Sequence, residues 1–339
     1  MEIFLTNTSA SVTVDLFGGA ITDFHLHDEQ VNPLSFAFSK EQMPDNNKAG
    51  APYRGHFLCL GRWGLPSEGE MRAGVPNHGE IANILWKQEE ISGLLLKMET
   101  TGTKEGLHVE RIIRLDAIEP VIKVTETIIN INPLGRLYNM VQHPTLAAPF
   151  LDESTVINCN GTNGFDQSNY KHASTNNFLW PYMKDENGIS IDLRNPKTKY
   201  NSVFSFVVDT SFETGWITAY SPAYNLLFGY AWKRSDYPWI HLWQHWEGDM
   251  ITYRGIEFGT AGIHQPFPEI LNTAVHLLGE KTFEYIDAGE SVSKNYFSFI
   301  YKPENKFTGV DDIKIEDDRI RITINKNEII SLQTRRDSI

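Results

Sequence analysis

Three stretches of the chain combine titratable side chains with glycines or aromatic rings in spacings that a packing core does not require. In Pro76-Asn77-His78-Gly79 a loop histidine precedes a glycine, which permits a close or left-handed backbone path and lets the imidazole face a pocket. In Tyr138-Asn139-Met140-Val141-Gln142-His143-Pro144 the proline restricts His143 to extended or turn backbone, so its imidazole is held on a strand or at a strand end, a position that suits a proton donor. The third stretch runs Tyr237-Pro238-Trp239-Ile240-His241-Leu242-Trp243-Gln244-His245-Trp246 and is followed by Tyr253-Arg254-Gly255-Ile256-Glu257-Phe258-Gly259. Residues two apart on a strand share a face, so Trp239, His241, Trp243 and His245 are expected on one side and Ile240, Leu242, Gln244 and Trp246 on the other. Rings beside hydrogen-bonding groups suit a sugar, whose C–H faces stack while its hydroxyls seek polar partners. Glu257 shares its face with Gly255 and Gly259, which leave room beside a carboxylate that would be costly to bury without a role.

Each feature has a plainer alternative. Histidines on loops and strands also serve structure alone, and bulky rings also fill a large β core. A metal site built from His241, His245 and Glu257 or His264 is disfavoured, because strand residues four apart lie about 13 Å from each other.

The elements that must hold these residues read as strands. Period-two alternation recurs from Leu94, from Leu107 and from Val121, and continues at Val203–Val208, Trp216–Tyr220, Asn225–Trp232, Trp239–Trp246, Tyr253–Phe258 and Lys294–Tyr301. No window carries a convincing helical period. The expected class is therefore all-β, a sandwich or barrel of antiparallel strands. Residues 27–90, dense in glycine and proline, are expected to be long loops crossing one face of a sheet. The domain reading is a single β domain over residues 1–301, with residues 302–339 as a charged C-terminal hairpin or edge-strand extension.

Composition bounds the partners. The 339 residues include 43 acidic and 30 basic side chains, a net charge of −13, with 41% hydrophobic residues and 12% aromatics. That excludes a disordered chain and disfavours nucleic acid. Two cysteines, Cys59 and Cys159, make no disulfide framework and point to a reducing compartment, the cytoplasm. No window approaches the roughly 18 uninterrupted apolar residues of a membrane span, and the N-terminus lacks a basic, apolar leader.

Taken in order, the motifs resemble the aldose 1-epimerase, or galactose mutarotase-like, family, and more closely its hexose-phosphate mutarotase branch. The resemblance rests on Gly18-Gly19-Ala20-Ile21-Thr22-Asp23-Phe24, Tyr53-Arg54-Gly55, His78-Gly79 with Trp86, Gln142-His143-Pro144, Leu242-Trp243-Gln244-His245-Trp246 and Gly255-Ile256-Glu257. It implies a β-supersandwich of large antiparallel sheets, a small-molecule carbohydrate bound on one sheet face, and no cofactor. It also implies Glu257 as base, His143 as acid and His78 as a second donor, with Arg54 and Arg62 orienting hydroxyls and Gln244 in contact with the sugar. Three departures accompany it: His78-Gly79 is followed by Glu80-Ile81-Ala82-Asn83 with no arginine, proline follows His143, and the loop from Gly61 to Gly74 is unusual. The missing arginine shifts the expected substrate away from a phosphorylated sugar. The alternative function is a non-catalytic carbohydrate-binding protein on the same scaffold. A glycoside hydrolase or lyase is weaker, since hydrolysis calls for a second carboxylate and Glu257 has no evident partner of that kind.

Overall fold

A computed structural model of the chain describes residues 1–185, 187–196 and 199–334. Two large antiparallel sheets of ten and eight strands face each other. The centre of the ten-stranded sheet is built, in spatial order, from Ala20–Leu26, His56–Leu60, Met140–Ala147, Met250–Gly259, Trp239–Glu247 and Ser202–Val208. The eight-stranded sheet is centred on Leu226–Lys233, Ser291–Tyr301, Val121–Asn130 and Leu107–Leu115. The open choice between sandwich and barrel is thus resolved as a sandwich.

Burial along the strands explains the layering. Leu107–Leu115 alternates buried and more exposed positions over its whole length, as a strand with one solvated face must. In Met140–Ala147 every residue is buried, because both faces are covered. Met140 and Leu146 join the core between the sheets, whereas Val141 and Ala147 pack on the outer face beneath Phe36, Met43, Tyr53 and Trp63 from the long loops. Much of residues 27–90 therefore crosses that outer face as expected, interrupted by the strand His56–Leu60 and the short helix Glu68–Arg72, but Ile81 and Trp86 turn into the core between the sheets and Lys87–Ser92 forms an edge strand of the eight-stranded sheet.

The core between the sheets also holds a polar chain. Arg111 and Glu126 form a buried ion pair at 2.6 Å. Gln142 donates to Glu126 at 2.5 Å and to Tyr237 Oη at 3.1 Å. His56 Nε2 meets Gln142 Oε1 at 3.0 Å and its Nδ1 meets Tyr230 Oη at 3.1 Å. Because the Gln142 amide nitrogen is already engaged as a donor, its oxygen accepts from His56 Nε2–H, and His56 Nδ1 accepts from Tyr230. Burial and the nearby Arg111 keep His56 neutral, its pKa pushed down to about 3. Gln142 is thus anchored inside the sandwich, and the following residue, His143, is turned to the outer face.

The C-terminal segment forms three strands, Val310–Ile315, Arg319–Ile324 and Glu328–Gln333, one more than a hairpin. Their inward residues Ile313, Ile320, Ile322 and Leu332 pack on Trp216, Leu227 and Phe299, on the outer face of the eight-stranded sheet. The end of the expected extension, residues 335–339, lies outside the described residues. Ile322→Ala is expected to cost about 2–5 kcal/mol, the usual range for emptying a fully buried aliphatic site. Chemical denaturation followed by tryptophan fluorescence checks this, and a loss below about 0.5 kcal/mol would mean that the packing contributes little.

Candidate active site

Three neighbouring strands and one loop bring the sequence candidates together on the outer face of the ten-stranded sheet. The central strand Met250–Gly259 pairs with Met140–Ala147 on one side and with Trp239–Glu247 on the other. Alternation then directs His143, Glu257 and Trp243 into one cavity. His78 arrives from the loop, with Trp63 and His264 beside it. The cavity encloses about 580 Å3 of empty space, part of it open to solvent.

His143 Nε2 lies 3.3 Å from Glu257 Oε1, and Trp63 Nε1–H donates to Glu257 Oε2 at 3.2 Å. His143 Nδ1 meets the Thr145 hydroxyl at 3.1 Å, and its ring stacks on Phe57 with centroids 4.4 Å apart, so its orientation is fixed. His78 Nδ1 accepts from the Gly64 backbone N–H at 3.3 Å and lies 3.2 Å from Cys59 Sγ. The ring proton of neutral His78 is therefore on Nε2, making His78 a hydrogen-bond donor to the cavity. The backbone supplies the pose: His78 has φ of +59°, and a Cβ on Gly79 would fall 1.9 Å from the Leu60 carbonyl oxygen. Only glycine fits at position 79.

Burial decides the protonation states. It pushes the Glu257 carboxyl up to about 8, against the lowering effect of the Trp63 hydrogen bond. It pushes His143 down to about 3, with the neighbouring histidines adding to the shift. His78 falls well below its ordinary value for the same reason, with His143 and His264 contributing, and His264 falls to about 4. At neutral pH the site thus holds a protonated Glu257 against a neutral His143, one proton between two groups in contact.

The three expected sugar-binding side chains do not line the cavity. Arg54 is half-buried and lies 3.7 Å from Asp15. Arg62 is buried, paired with Glu70, and its guanidinium sits 4.6 Å over Phe267. It is the next residue, Trp63, that enters the cavity. Gln244 is on the opposite face from Trp243 and donates to the Tyr200 carbonyl at 3.1 Å, so strand alternation keeps it away. His241 and His245, considered above as metal ligands, meet the hydroxyls of Ser205 and Thr252.

Trp63 and His264 are the cavity residues that sequence reasoning missed in these roles. The available signal for Trp63 was an indole between two glycines, Gly61 and Gly64, in a loop. A Cβ on Gly64 would lie 2.4 Å from His264 Nε2, so Gly64 gives His264 its place. The room at Gly255 is taken by Glu257 itself, because a Cβ there would lie 2.6 Å from Glu257 Oε1 and 3.0 Å from Trp243 Cβ. Gly255→Ala is therefore expected to displace the carboxyl and lower any Glu257-dependent activity by about 10²-fold with the fold retained. Steady-state rates together with circular dichroism would check it. Trp63→Phe removes the indole donor that favours ionised Glu257. It should move the titration of Glu257 upward by about one pH unit, read from the pH midpoint of activity.

Comparison by sequence finds no matching family model and no matching curated relative. Comparison by structure does find matches. A galactose mutarotase related enzyme from Lactobacillus acidophilus superposes with a TM-score of 0.64 at 11% identity, over 89% of this chain and 97% of that one. A galactose mutarotase-like protein from Lactobacillus casei gives 0.56 at 11% identity, over 89% and 100%. Another from Clostridium acetobutylicum gives 0.55 at 14% identity, over 89% and 95%. The chain has the galactose mutarotase-like β-sandwich fold. Among the described residues, no helix is long and apolar enough to cross a membrane.

Proposed function

We propose that the protein is a sugar 1-epimerase, interconverting the anomers of an aldose by opening and reclosing its ring. The observation that carries this reading is the contact of His143 Nε2 with Glu257 Oε1 at 3.3 Å in a cavity that also holds the Nε2–H donor of His78. Ring opening removes the proton from O1, breaks the bond from C1 to the ring oxygen and delivers a proton to that oxygen. Rotation about C1–C2 and the reverse steps give the other anomer. One group must accept while another donates, and the pair carries the single proton this needs. With Glu257 as base and His143 as acid, that proton resides on His143 when sugar is bound. His78 holds O1 or the ring oxygen by donation. Because mutarotation proceeds unaided in water, a positioned acid and base worth roughly 10²–10⁴-fold each are sufficient. The substrate is a small carbohydrate and the working compartment the reducing cytoplasm, in keeping with two buried free cysteines.

The cavity's aromatic surface supports a second reading, a carbohydrate-binding protein without catalysis. NMR exchange between anomers decides between them. Faster exchange with the wild type than with Glu257→Gln supports the epimerase, and saturable binding with no acceleration of any sugar supports the binder.

A further inference from the structure

The polar atoms of the cavity are unevenly distributed. Tyr53 directs its hydroxyl away, donating to the Asn77 carbonyl at 2.7 Å. The Trp63 indole is committed to Glu257, and His78 Nδ1 to the Gly64 amide. What remains to meet a ligand is His78 Nε2, His143, His264 and the Glu257 carboxyl. These groups are clustered: the His78 ring lies 5.3 Å from His143 and 6.1 Å from His264. The rest of the lining is mostly carbon, with Phe36, Phe38 and Trp243 in mutual edge-to-face contact at 4.9 to 6.4 Å, flanked by Val203 and Pro44, and the Trp243 indole N–H as the polar group of that wall. Among the described residues no lysine or arginine lines it, and both arginines expected there face carboxylates, Arg54 facing Asp15 and Arg62 facing Glu70.

One ring of an aldose cannot satisfy both regions in the same way. Its anomeric oxygens belong with the imidazoles and the carboxyl, which leaves the far end of the ring against the aromatic wall. A hydroxyl desolvated against those rings finds little beyond the Trp243 indole N–H to replace its water and is disfavoured, and a phosphate would meet no lysine or arginine among the described residues while sharing the cavity with Glu257. A methyl group would instead gain contact with the rings. We propose that the aromatic wall selects an uncharged aldose whose end remote from C1 is apolar, as in a 6-deoxy hexose, over both the fully hydroxylated hexose and its phosphate. This rests on the epimerase reading for the orientation of the ring.

The test uses matched pairs differing only at C6: D-fucose with D-galactose, D-quinovose with D-glucose, and L-rhamnose with L-mannose, together with D-glucose 6-phosphate. Binding is followed by the fluorescence of the wild-type protein, since Trp63 and Trp243 both line the cavity. In the pair that binds best, the deoxy sugar is expected to bind about tenfold tighter than its partner, the lower end of discrimination by an apolar pocket. Val203→Thr, which adds a hydroxyl to the wall at nearly constant shape, and Phe38→Ser should both bring that ratio toward one. Equal or weaker binding of the deoxy member in every pair, preference for the phosphate, or no binding of any sugar overturns the proposal. Anomer exchange measured on the same sugars separates the two ideas. Deoxy preference without accelerated exchange sinks the epimerase reading alone, and accelerated exchange with preference for the hydroxylated partner sinks only the selectivity.

Discussion

Glu257→Gln is expected to lower anomer exchange by about 10²–10⁴-fold, the usual worth of a positioned acid–base group, while leaving the protein folded and more resistant to alkaline pH. The residue is 1% exposed, and glutamine keeps its shape and its ability to accept from Trp63 while removing the group that titrates. The stability effect has a definite sign. Burial raises the native pKa of Glu257 to about 8 from an ordinary 4.5. Between those values the folded protein keeps a proton that the unfolded chain releases, so ionisation favours the unfolded state increasingly as pH rises. Relative to the variant, wild type therefore loses up to about 1.4 kcal/mol per pH unit across that window, because the depressed histidines act alike in both proteins and cancel from the difference. Denaturation midpoints compared at pH 5 and pH 8 read it out. A gap between the two proteins that stays constant over this range would show that Glu257 is not held protonated, and unchanged exchange would remove the carboxyl from the reaction.

The origin of that strained protonation state also explains what sequence could and could not show. Strand periodicity placed Glu257 with Gly255 and Gly259, and Trp243 with Trp239, His241 and His245, on the faces they share, because a side-chain period of two is a local property of the chain, whereas for His143 the following proline gave only an extended backbone. The same rule put Gln244 on the opposite side from Trp243, and it is this local geometry that prevailed over the sugar contact implied by family resemblance. Arg62 and Trp63 were not separable in this way. They lie in a loop where no period operates, and which of them enters the cavity depends on Glu70, eight residues further along, and on Phe267 from the other end of the chain. His264 could not be placed either, since its position is set by Gly64 packing against its ring. The third C-terminal strand, Glu328–Gln333, was missed because its alternation is short and bounded by charge, whereas its role emerges only when Ile330 and Leu332 meet the outer face of the eight-stranded sheet.

The depth of the site has a second consequence, seen in the pH profile. Two groups with ordinary values, a carboxyl near 4.3 and an imidazole near 6.5, would carry one proton between them only in the narrow range separating those numbers. Burial moves the two in opposite directions, the carboxyl up to about 8 and the imidazole down to about 3. The pair in contact at 3.3 Å thus holds one proton across the whole neutral range. This count is the same whether the proton sits on Glu257 or on His143, so the profile does not depend on which of them donates first. The kcat/KM for anomer exchange, which reports the free enzyme, is expected to be flat from about pH 5 to pH 7.5. Above about pH 8 it should fall by about tenfold per unit as the last proton leaves the pair. Mutarotation is itself base-catalysed, so the rate with Glu257→Gln must be subtracted at each pH. A fall that already begins near pH 6.5 would mean that His143 titrates as an exposed imidazole does. Activity undiminished at pH 10 would mean that the shared proton takes no part in opening the ring.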